Sequence, residues 1–153
     1  MADQSGKKKV VLASGVFDLL HLGHVKFLEE AKKSGGKDAE LIVVVARDST
    51  VEKAKGRKPI MSEGERCLLV ASLRVVDQAV LGYEKFDLGE VIEDIKPDVI
   101  ALGYDQQDMM KQVQDYVKAH GLNVKVVGIG KFGENTLDSS SKIKQEIINK
   151  LSS

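Results

Sequence analysis

The sequence alternates between short apolar runs and amphipathic segments of helical length, and this alternation limits the fold more than any other feature. Residues 41–46 (LIVVVA) are apolar at every position, which is typical of a parallel strand buried on both faces. Residues 24–33 place Val25, Leu28 and Ala31 among charges, the spacing of an amphipathic helix. The alternation predicts one α/β domain built on a parallel sheet with right-handed crossovers.

The same patterns predict where the elements lie. Strands are expected at residues 10–13, 41–46, 79–81, 99–102 and 124–128. Helices are expected at residues 24–33, 62–73, 87–96 and 109–120, and from about 139 to about 151. Residues 48–59 are predicted to be a basic, irregular stretch. We therefore expect a single Rossmann-like domain over residues 9–151, with a five-stranded parallel sheet, helices on both faces and a disordered start at residues 1–8.

Composition narrows the classes of function. The 153 residues include 23 Lys and Arg against 23 Asp and Glu, and this lack of a basic excess argues against nucleic acid as the main partner. The one cysteine, Cys67, allows no intrachain disulfide and fits a reducing compartment. Neither a signal peptide nor an apolar stretch of about 20 residues is visible, so we expect a cytoplasmic protein without a membrane partner.

Two of the three histidines lie in residues 15–24, GVFDLLHLGH, between a predicted strand and a predicted helix. A helix N-terminus offers free N–H groups and the positive end of its dipole to an anion. Gly23 lets a phosphate approach the backbone, and the imidazoles of His21 and His24 can donate hydrogen bonds to it. The alternatives are two turn histidines without a role, or a zinc site for which no further Cys or His is evident.

This segment resembles the G-x-F-D-x-x-H-x-G-H signature of the cytidylyltransferase-like nucleotidyltransferases. The resemblance implies the HxGH nucleotidyltransferase fold and the transfer of a nucleoside monophosphate from a triphosphate. It also implies that His21 and His24 hold the triphosphate and stabilise the transition state. The residues that it places at the ATP site in this segment are Gly15, Val16, Phe17, His21, Leu22, Gly23 and His24.

Basic residues follow the second predicted strand. Within residues 47–58 (RDSTVEKAKGRK), Lys53, Lys55, Arg57 and Lys58 could form a solvated basic loop or could neutralise the β- and γ-phosphates. The family resemblance implies the second role and favours Lys53 and Lys55. Arg66 and Arg74 are eight residues apart and are expected on nearly the same helix face. Resemblance to glycerol-3-phosphate cytidylyltransferases implies a role for them in catalysis or in a dimer, and a salt-bridged surface is the alternative.

Two further segments are predicted to contact the nucleotide. Gly103 and Asp105 follow the fourth strand, where the family places its nucleoside contacts, although Asp105 could instead cap a helix. The last predicted helix is preceded by Ser139, Ser140 and Ser141, which resemble a phosphate-binding sequence of the family. Glu134 stands where the family has an arginine, and Lys131 is a candidate replacement.

Over most of residues 9–150 the sequence is similar to archaeal FAD synthases, notably in KPDVIALGYDQ and VKVVGIGKFG. This similarity implies ATP and FMN as substrates, a divalent cation (Mg²⁺) held mainly by phosphates rather than by protein ligands, and a homodimer. The alternatives are a CTP-dependent cytidylyltransferase, such as glycerol-3-phosphate cytidylyltransferase, and a non-catalytic nucleotide-sensing module. The sequence leaves open which aromatic side chain meets the isoalloxazine ring. The candidates are Tyr83, Phe86, Tyr104, Tyr116 and Phe132.

Overall fold

The computed structural model describes residues 8–85, 87–132 and 139–152. Within them, five strands form one all-parallel sheet, as predicted. The strands are Val10–Gly15 (β1), Glu40–Val45 (β2), Gln78–Leu81 (β3), Val99–Gly103 (β4) and Lys125–Ile129 (β5). Each overlaps a strand that the apolar runs predict, and no end differs from its predicted position by more than two residues.

Helices cover both faces of the sheet, which confirms the predicted α/β architecture. They are Leu22–Lys33 (α1), Asp48–Lys55 (α2), Glu63–Ala71 (α3), Leu88–Ile95 (α4), Gln107–Ala119 (α5) and Ser140–Ser152 (α6). Leu28 of α1 and Val70 of α3 join one hydrophobic cluster with the strands. Ile92 of α4 and Val113 of α5 join the other cluster. Two separate cores therefore stabilise the sheet from opposite sides.

The strand order β3-β2-β1-β4-β5 determines where a ligand can bind. The chain passes outward from β1 to β3 and then returns to place β4 beside β1 on the other side. The direction of winding changes between these two strands, so a crevice opens beyond their carboxyl ends at Gly15 and Gly103. Open α/β sheets bind ligands at such a switch point.

Side-chain caps begin two of the helices at the residues that the sequence indicates. The hydroxyl of Ser62 accepts the N–H of Glu65 at 3.3 Å, ahead of α3. The carboxylate of Asp87 accepts the N–H of Glu90 at 3.1 Å, ahead of α4. Each cap satisfies one backbone donor that the first helical turn leaves free.

The prediction of an irregular stretch at residues 48–59 is wrong, because residues 48–55 form α2. Glu52, Lys53 and Lys55 are good helix formers, and the two lysines lie in the last turn, where they favour the helix dipole. Gly56 ends the helix in a left-handed conformation, with φ of 75°. The basic side chains therefore project from a helix and from the turn that follows it.

Two boundaries also change the predicted site. The helix α1 begins at Leu22 rather than at residue 24, which makes His21 its N-cap. The helix α3 ends at Ala71 with Ser72 as its C-cap, so Arg74 lies beyond it. Arg66 and Arg74 consequently do not share a helix face, contrary to the prediction.

Residues 1–7, 86, 133–138 and 153 lie outside the described part of the chain. The predicted disorder of residues 1–8 and the predictions that involve Phe86 and Glu134 therefore stay untested. In the described residues, no helix is both long enough and apolar enough to cross a membrane.

Candidate active site

A cavity of about 1220 Å³ opens at the carboxyl ends of the strands. A pocket for one small molecule usually measures roughly 300–1000 Å³, so this one has room for two substrates. Its wall includes the β1–α1 turn, α2 and the turn after it, the ends of β4 and β5, and the first turn of α6. The fold thus brings together the segments that the sequence singled out.

The two histidines cap α1 reciprocally. Nδ1 of His24 accepts the N–H of His21 at 3.3 Å, and Nδ1 of His21 accepts the N–H of His24 at 3.4 Å. The two rings stack with their centroids 3.6 Å apart. Because each Nδ1 is an acceptor, the proton of each neutral ring must be on Nε2. Both residues line the cavity, so two Nε2–H donors stand beside the N-terminus of a helix.

The protonation of His24 is shifted strongly. Burial, and to a lesser extent the field of His21, lower the pKa of His24 from 6.5 to about 4, although the carboxylate of Asp18 acts in the opposite direction. His24 is therefore a neutral imidazole at neutral pH. Its Nε2–H can still donate a hydrogen bond to a phosphate oxygen. Because the neutral ring carries no charge, it needs no protein counter-ion to keep this proton.

The turn before these histidines is held in a strained backbone conformation. Phe17 and Leu19 have φ values of 56° and 50°, in the left-handed region that non-glycine residues rarely adopt. Each such residue costs on the order of 1–3 kcal/mol, and strain of this kind persists only when the surroundings fix it. The buried ring of Phe17, 5.4 Å from the ring of His24, is one such constraint.

Asp18, between the two strained residues, is the second constraint. The residue is only 6% exposed, and its carboxylate accepts the N–H groups of Ile60 and Met61 at 2.8 and 2.9 Å. Its carbonyl oxygen accepts the hydroxyl of Ser140, and Nζ of Lys144 lies 4.0 Å from its carboxylate. Asp18 therefore joins the histidine turn to the segment after α2 and to the start of α6.

Arg66 anchors the same region from inside the protein. Its side chain is fully buried, and it donates to the carbonyls of Met61, Val16 and Ala46 at 3.0, 2.7 and 2.8 Å. It also forms an ion pair with Asp48 at 2.7 Å. One guanidinium thus ties α3 to the turn after β1, to the end of β2 and to the start of α2.

The cations of α2 and its following turn divide into two groups. Lys55, Arg57 and Lys58 line the cavity, whereas the exposed Lys53 does not. The left-handed Gly56 turns the chain after Lys55, so the next two basic residues remain at the same wall. This wall can hold a polyphosphate in the same cavity that the histidines line.

The end of β4 is locked to the end of β1. The N–H of Gly103 donates to Oε1 of Gln106 at 2.9 Å, and Nε2 of Gln106 donates to the Ser14 carbonyl at 3.3 Å. A Cβ on Gly103 would lie 2.9 Å from a carboxylate oxygen of Asp105, so a larger residue here would displace that exposed side chain. Tyr104 and Asp105 remain exposed at the cavity wall.

The start of α6 borders the end of the cavity that contains the histidines. Ser139 accepts the N–H of Lys142 at 3.2 Å, as an N-cap would, and Ser140 uses its hydroxyl on the Asp18 carbonyl. All three serines line the cavity together with Lys144. The helix N-terminus and Lys144 thus add positive potential at the end of the cavity that holds the histidines.

The family model described as cytidylyltransferase-like matches residues 12–146, nearly the whole described domain. The chain belongs to the cytidylyltransferase-like family. Curated relatives include the FAD synthase of Aciduliprofundum boonei, 49% identical over 92% of this chain and 91% of that protein. The FAD synthase of Methanobrevibacter smithii is 48% identical over 91% of this chain and 90% of its own.

Solved structures support the same cytidylyltransferase-like fold. The lipopolysaccharide core biosynthesis protein from Thermoplasma volcanium has a TM-score of 0.74 and 45% identity, over 83% of this chain and 100% of its own. A pantoate-beta-alanine ligase from Francisella tularensis has a TM-score of 0.61 over 94% of this chain and 70% of its own. At 18% identity, this second likeness concerns the fold alone.

The structure gathers most of the predicted site residues of this cytidylyltransferase-like chain around one cavity. Those that line it are Gly15, Val16, Phe17, His21, Gly23, His24, Lys55, Gly103, Asp105, Ser139, Ser140 and Ser141. Leu22, Lys53, Arg66 and Arg74 are not in its lining. Because Arg66 is buried and bonded to protein atoms, we correct its expected catalytic contact to a positioning role. The roles of the others stay predictions.

Sequence reasoning missed Asp18 and Gln106, and it gave no role to Arg47. The first two act through long-range hydrogen bonds, so only the fold reveals them. Arg47 donates to the Gly82 carbonyl at 2.6 Å and to Glu63 at 3.1 Å, and it lines the cavity. In the described residues, no group of three or more His, Cys, Asp or Glu side chains is placed to hold a metal ion.

Acid is expected to destabilise the folded protein through His24. The folded pKa of about 4 lies below the unfolded value of about 6.5, so between these pH values the unfolded chain binds more protons. The free energy of unfolding should fall by on the order of 1–3 kcal/mol from pH 7 to pH 4 on this account. Urea titrations of the wild type and of His24→Gln would measure it. The variant should lose less stability with acid, and equal losses would contradict the assignment.

Lys55 and Lys53 form a matched pair because they carry the same charge on the same helix. Lys55→Met should weaken ATP binding by roughly 10- to 100-fold, since a charge-assisted hydrogen bond contributes about 1.5–3 kcal/mol. Lys53→Met should leave ATP binding within about twofold, because Lys53 is not part of the cavity wall. Titration calorimetry would compare the dissociation constants. Equal losses of ATP affinity in the two variants would contradict a specific contact by Lys55, because they would mean that only the net charge of the helix affects binding.

Proposed function

We propose that the protein is an FAD synthase, an FMN adenylyltransferase that transfers AMP from ATP to FMN and releases pyrophosphate. The observation that carries this proposal is the pair of Nε2–H donors at the start of α1, facing a cavity large enough for two substrates. The relatives named FAD synthase, at 42–49% identity over most of the chain, support FAD as the product. Since FAD contains adenosine, its synthesis requires ATP.

The reaction is a direct in-line displacement. A phosphate oxygen of FMN attacks the α-phosphorus of ATP, the bond to the bridging α–β oxygen breaks, and that oxygen leaves on pyrophosphate. The Nε2–H groups of His21 and His24 donate to the α-phosphate oxygens, which gain charge in the transition state. Lys55, Arg57 and Lys58 neutralise the β- and γ-phosphates, and the α6 N-terminus with Lys144 adds to this field.

No covalent enzyme intermediate is needed, because the FMN phosphate is already a nucleophile at neutral pH. Cys67 is a poor alternative nucleophile, since burial raises the pKa of its thiol although Arg66 opposes the shift. The configuration at a chiral α-phosphorothioate of ATP should therefore invert. Analysis of the FAD analogue by phosphorus NMR would test this, and retention would require a double displacement.

A divalent cation, Mg²⁺, is part of the proposed reaction. Mg²⁺ keeps several waters and usually binds through substrate phosphates with one or two carboxylates. We expect the triphosphate to hold it here, and when bound it neutralises charge on the β- and γ-phosphates. The chain's own contribution is the row of cations along α2 and its following turn.

We also infer a homodimer, whose contacts would cover apolar side chains that the monomer exposes. These include Leu68 of α3 at 71% exposure and Leu151 of α6 at 82%. Sedimentation equilibrium at micromolar concentration should give twice the 16.7 kDa of one chain, and a monomer mass would overturn the inference. A cytoplasmic location belongs to the same proposal, and cell fractionation would test it.

Product analysis tests the function against its alternatives. The protein would be incubated with Mg²⁺, each of ATP and CTP, and each of FMN and glycerol 3-phosphate. FAD formed from ATP and FMN supports the proposal. CDP-glycerol as the main product would instead make the protein a cytidylyltransferase, and binding without any product would make it a nucleotide sensor.

A further inference from the structure

One arm of the cavity differs in chemistry from the end that contains the histidines. Eight of its lining residues belong to the hydrophobic cluster between the sheet and helices α4 and α5. They are Leu12, Val44, Leu88, Val91, Ile100, Leu102, Met109 and Val113. The floor of this arm, defined by these eight residues, is therefore continuous with the apolar core.

Tyr83 stands at this apolar arm. It follows β3, lines the cavity and is 38% exposed, so the ring is partly free to contact a ligand. Its hydroxyl donates to Asp94 of α4, which fixes the orientation of the ring. An exposed aromatic ring held in place beside an apolar floor loses little conformational entropy when a flat ligand stacks on it.

Polar groups border the arm where a flavin would need them. Met109, Gln112 and Val113 are spaced i, i+3 and i+4 on α5, so all three share one face. Met109 and Val113 belong to the floor, and the exposed Gln112 offers an amide that can both donate and accept. The pyrimidine edge of an isoalloxazine carries both carbonyl oxygens and an N–H, which matches this amide.

Arg47 supplies a cation beside the arm. Its Nε donates to the carbonyl of Gly82, the residue before Tyr83, and Arg47 is part of the cavity lining. A ligand with its ring at Tyr83 would thus have a cation along its path towards the histidines. FMN has this order of parts: a flat ring, a ribityl chain and a phosphate that must reach the α-phosphate of ATP.

The other arm, which is bordered by residues that follow β4 and β5, suits the adenosine of ATP better. It is bordered by Asp105, Gln106 and the exposed backbone of Gly130, all in the cavity lining. Nζ of Lys131 lies 5.8 Å from the ring of Tyr104 in this region. A ribose needs hydrogen-bond acceptors such as Asp105, and an apolar floor would offer it none.

We propose that the isoalloxazine ring of FMN binds in the arm between the sheet and helices α4 and α5, stacked on Tyr83. This inference rests on the proposed function and assigns the acceptor site within it. Tyr83 then selects for a flat aromatic acceptor. Glycerol 3-phosphate would leave the apolar floor without a partner.

Flavin fluorescence tests the assignment directly, because stacking on a tyrosine ring quenches it. FMN would be titrated into the wild type, Tyr83→Leu, Tyr83→Phe and Tyr104→Leu, with ATP affinity measured in parallel by calorimetry. Tyr83→Leu should weaken FMN binding by about 5- to 30-fold, reduce the quenching and leave ATP binding unchanged. Tyr83→Phe keeps the ring and loses only the hydrogen bond to Asp94, so FMN binding should stay within about threefold. Tyr104→Leu should weaken ATP binding and spare FMN.

The outcomes distinguish a failure of the ring assignment from a failure of the proposed function. If the wild type makes FAD but Tyr83→Leu binds FMN as tightly as the wild type, the ring lies elsewhere and the assignment to Tyr83 is overturned. If Tyr104→Leu weakens FMN instead, the two arms are exchanged. If the wild type neither quenches FMN nor makes FAD, the proposed function itself fails, and the acceptor site fails with it.

Discussion

Alanine at His21 or at His24 is expected to lower kcat by roughly a hundred- to a thousandfold. Removing one donor that is aimed at developing charge typically costs about 3–4 kcal/mol of transition-state stabilisation. ATP affinity should change much less, because only interactions stronger in the transition state accelerate the reaction. Steady-state kinetics and calorimetric ATP titrations of both variants would measure the two effects separately.

The structure shows that these alanine variants should also lose stability, and it supplies a control variant for the experiment. Each histidine accepts a backbone N–H as a cap, so alanine should also cost about 1 kcal/mol of stability. Asparagine at either position keeps an acceptor and a donor and should recover part of the activity. His120→Ala is the silent control, since His120 stacks on Tyr116 outside the cavity lining. Near-normal kcat in His21→Ala and His24→Ala would place the active site elsewhere.

Replacement of Arg66 by methionine is expected to destabilise the protein by about 3–5 kcal/mol. The change would leave the carboxylate of Asp48 without its buried partner and three carbonyl oxygens without their donor. Lysine would not substitute well, because it lacks the planar fork that reaches several acceptors at once. Urea denaturation followed by circular dichroism would give the free energy of unfolding.

Arg74→Met provides the matched control for Arg66→Met. Arg74 is exposed and lies beyond the end of α3, so its replacement should change stability by less than about 0.5 kcal/mol. A direct catalytic role for Arg66 makes the opposite prediction. In that case Arg66→Met would keep its stability and lose kcat, and our correction of its role would be wrong.

Local patterns were sufficient to predict the sheet. The apolar run that became β2 and the spaced apolar residues of α1 each bury against the core, and burial is what periodicity reports. The caps at Ser62 and Asp87 were also predictable, since a cap depends on residues three apart. The position of the segment with both histidines, between a strand and a helix, was predictable as well, while its role as an anion site stays a prediction.

Residues that act over long sequence separations could not be predicted in the same way. Asp18 bonds to an N–H 42 residues later, and Gln106 reaches a carbonyl 92 residues earlier. Arg66 is fully buried, although arginine is among the residues least often found inside. The helix α2 was missed for a different reason: its eight residues have only Val51 buried, so they show little apolar periodicity.

Transfer of the AMP group of ATP, with its α-phosphate, to FMN is the central claim, and radiolabelled ATP measures it most directly. FMN and Mg²⁺ would be incubated with ATP labelled at the α-phosphate, using the wild type and His21→Ala at equal concentration. We predict that the label appears in FAD and that one pyrophosphate is released for each FAD formed. His21→Ala should form FAD roughly a hundred- to a thousandfold more slowly. Absence of label from FAD with the wild type, or equal rates in the two proteins, would contradict the account.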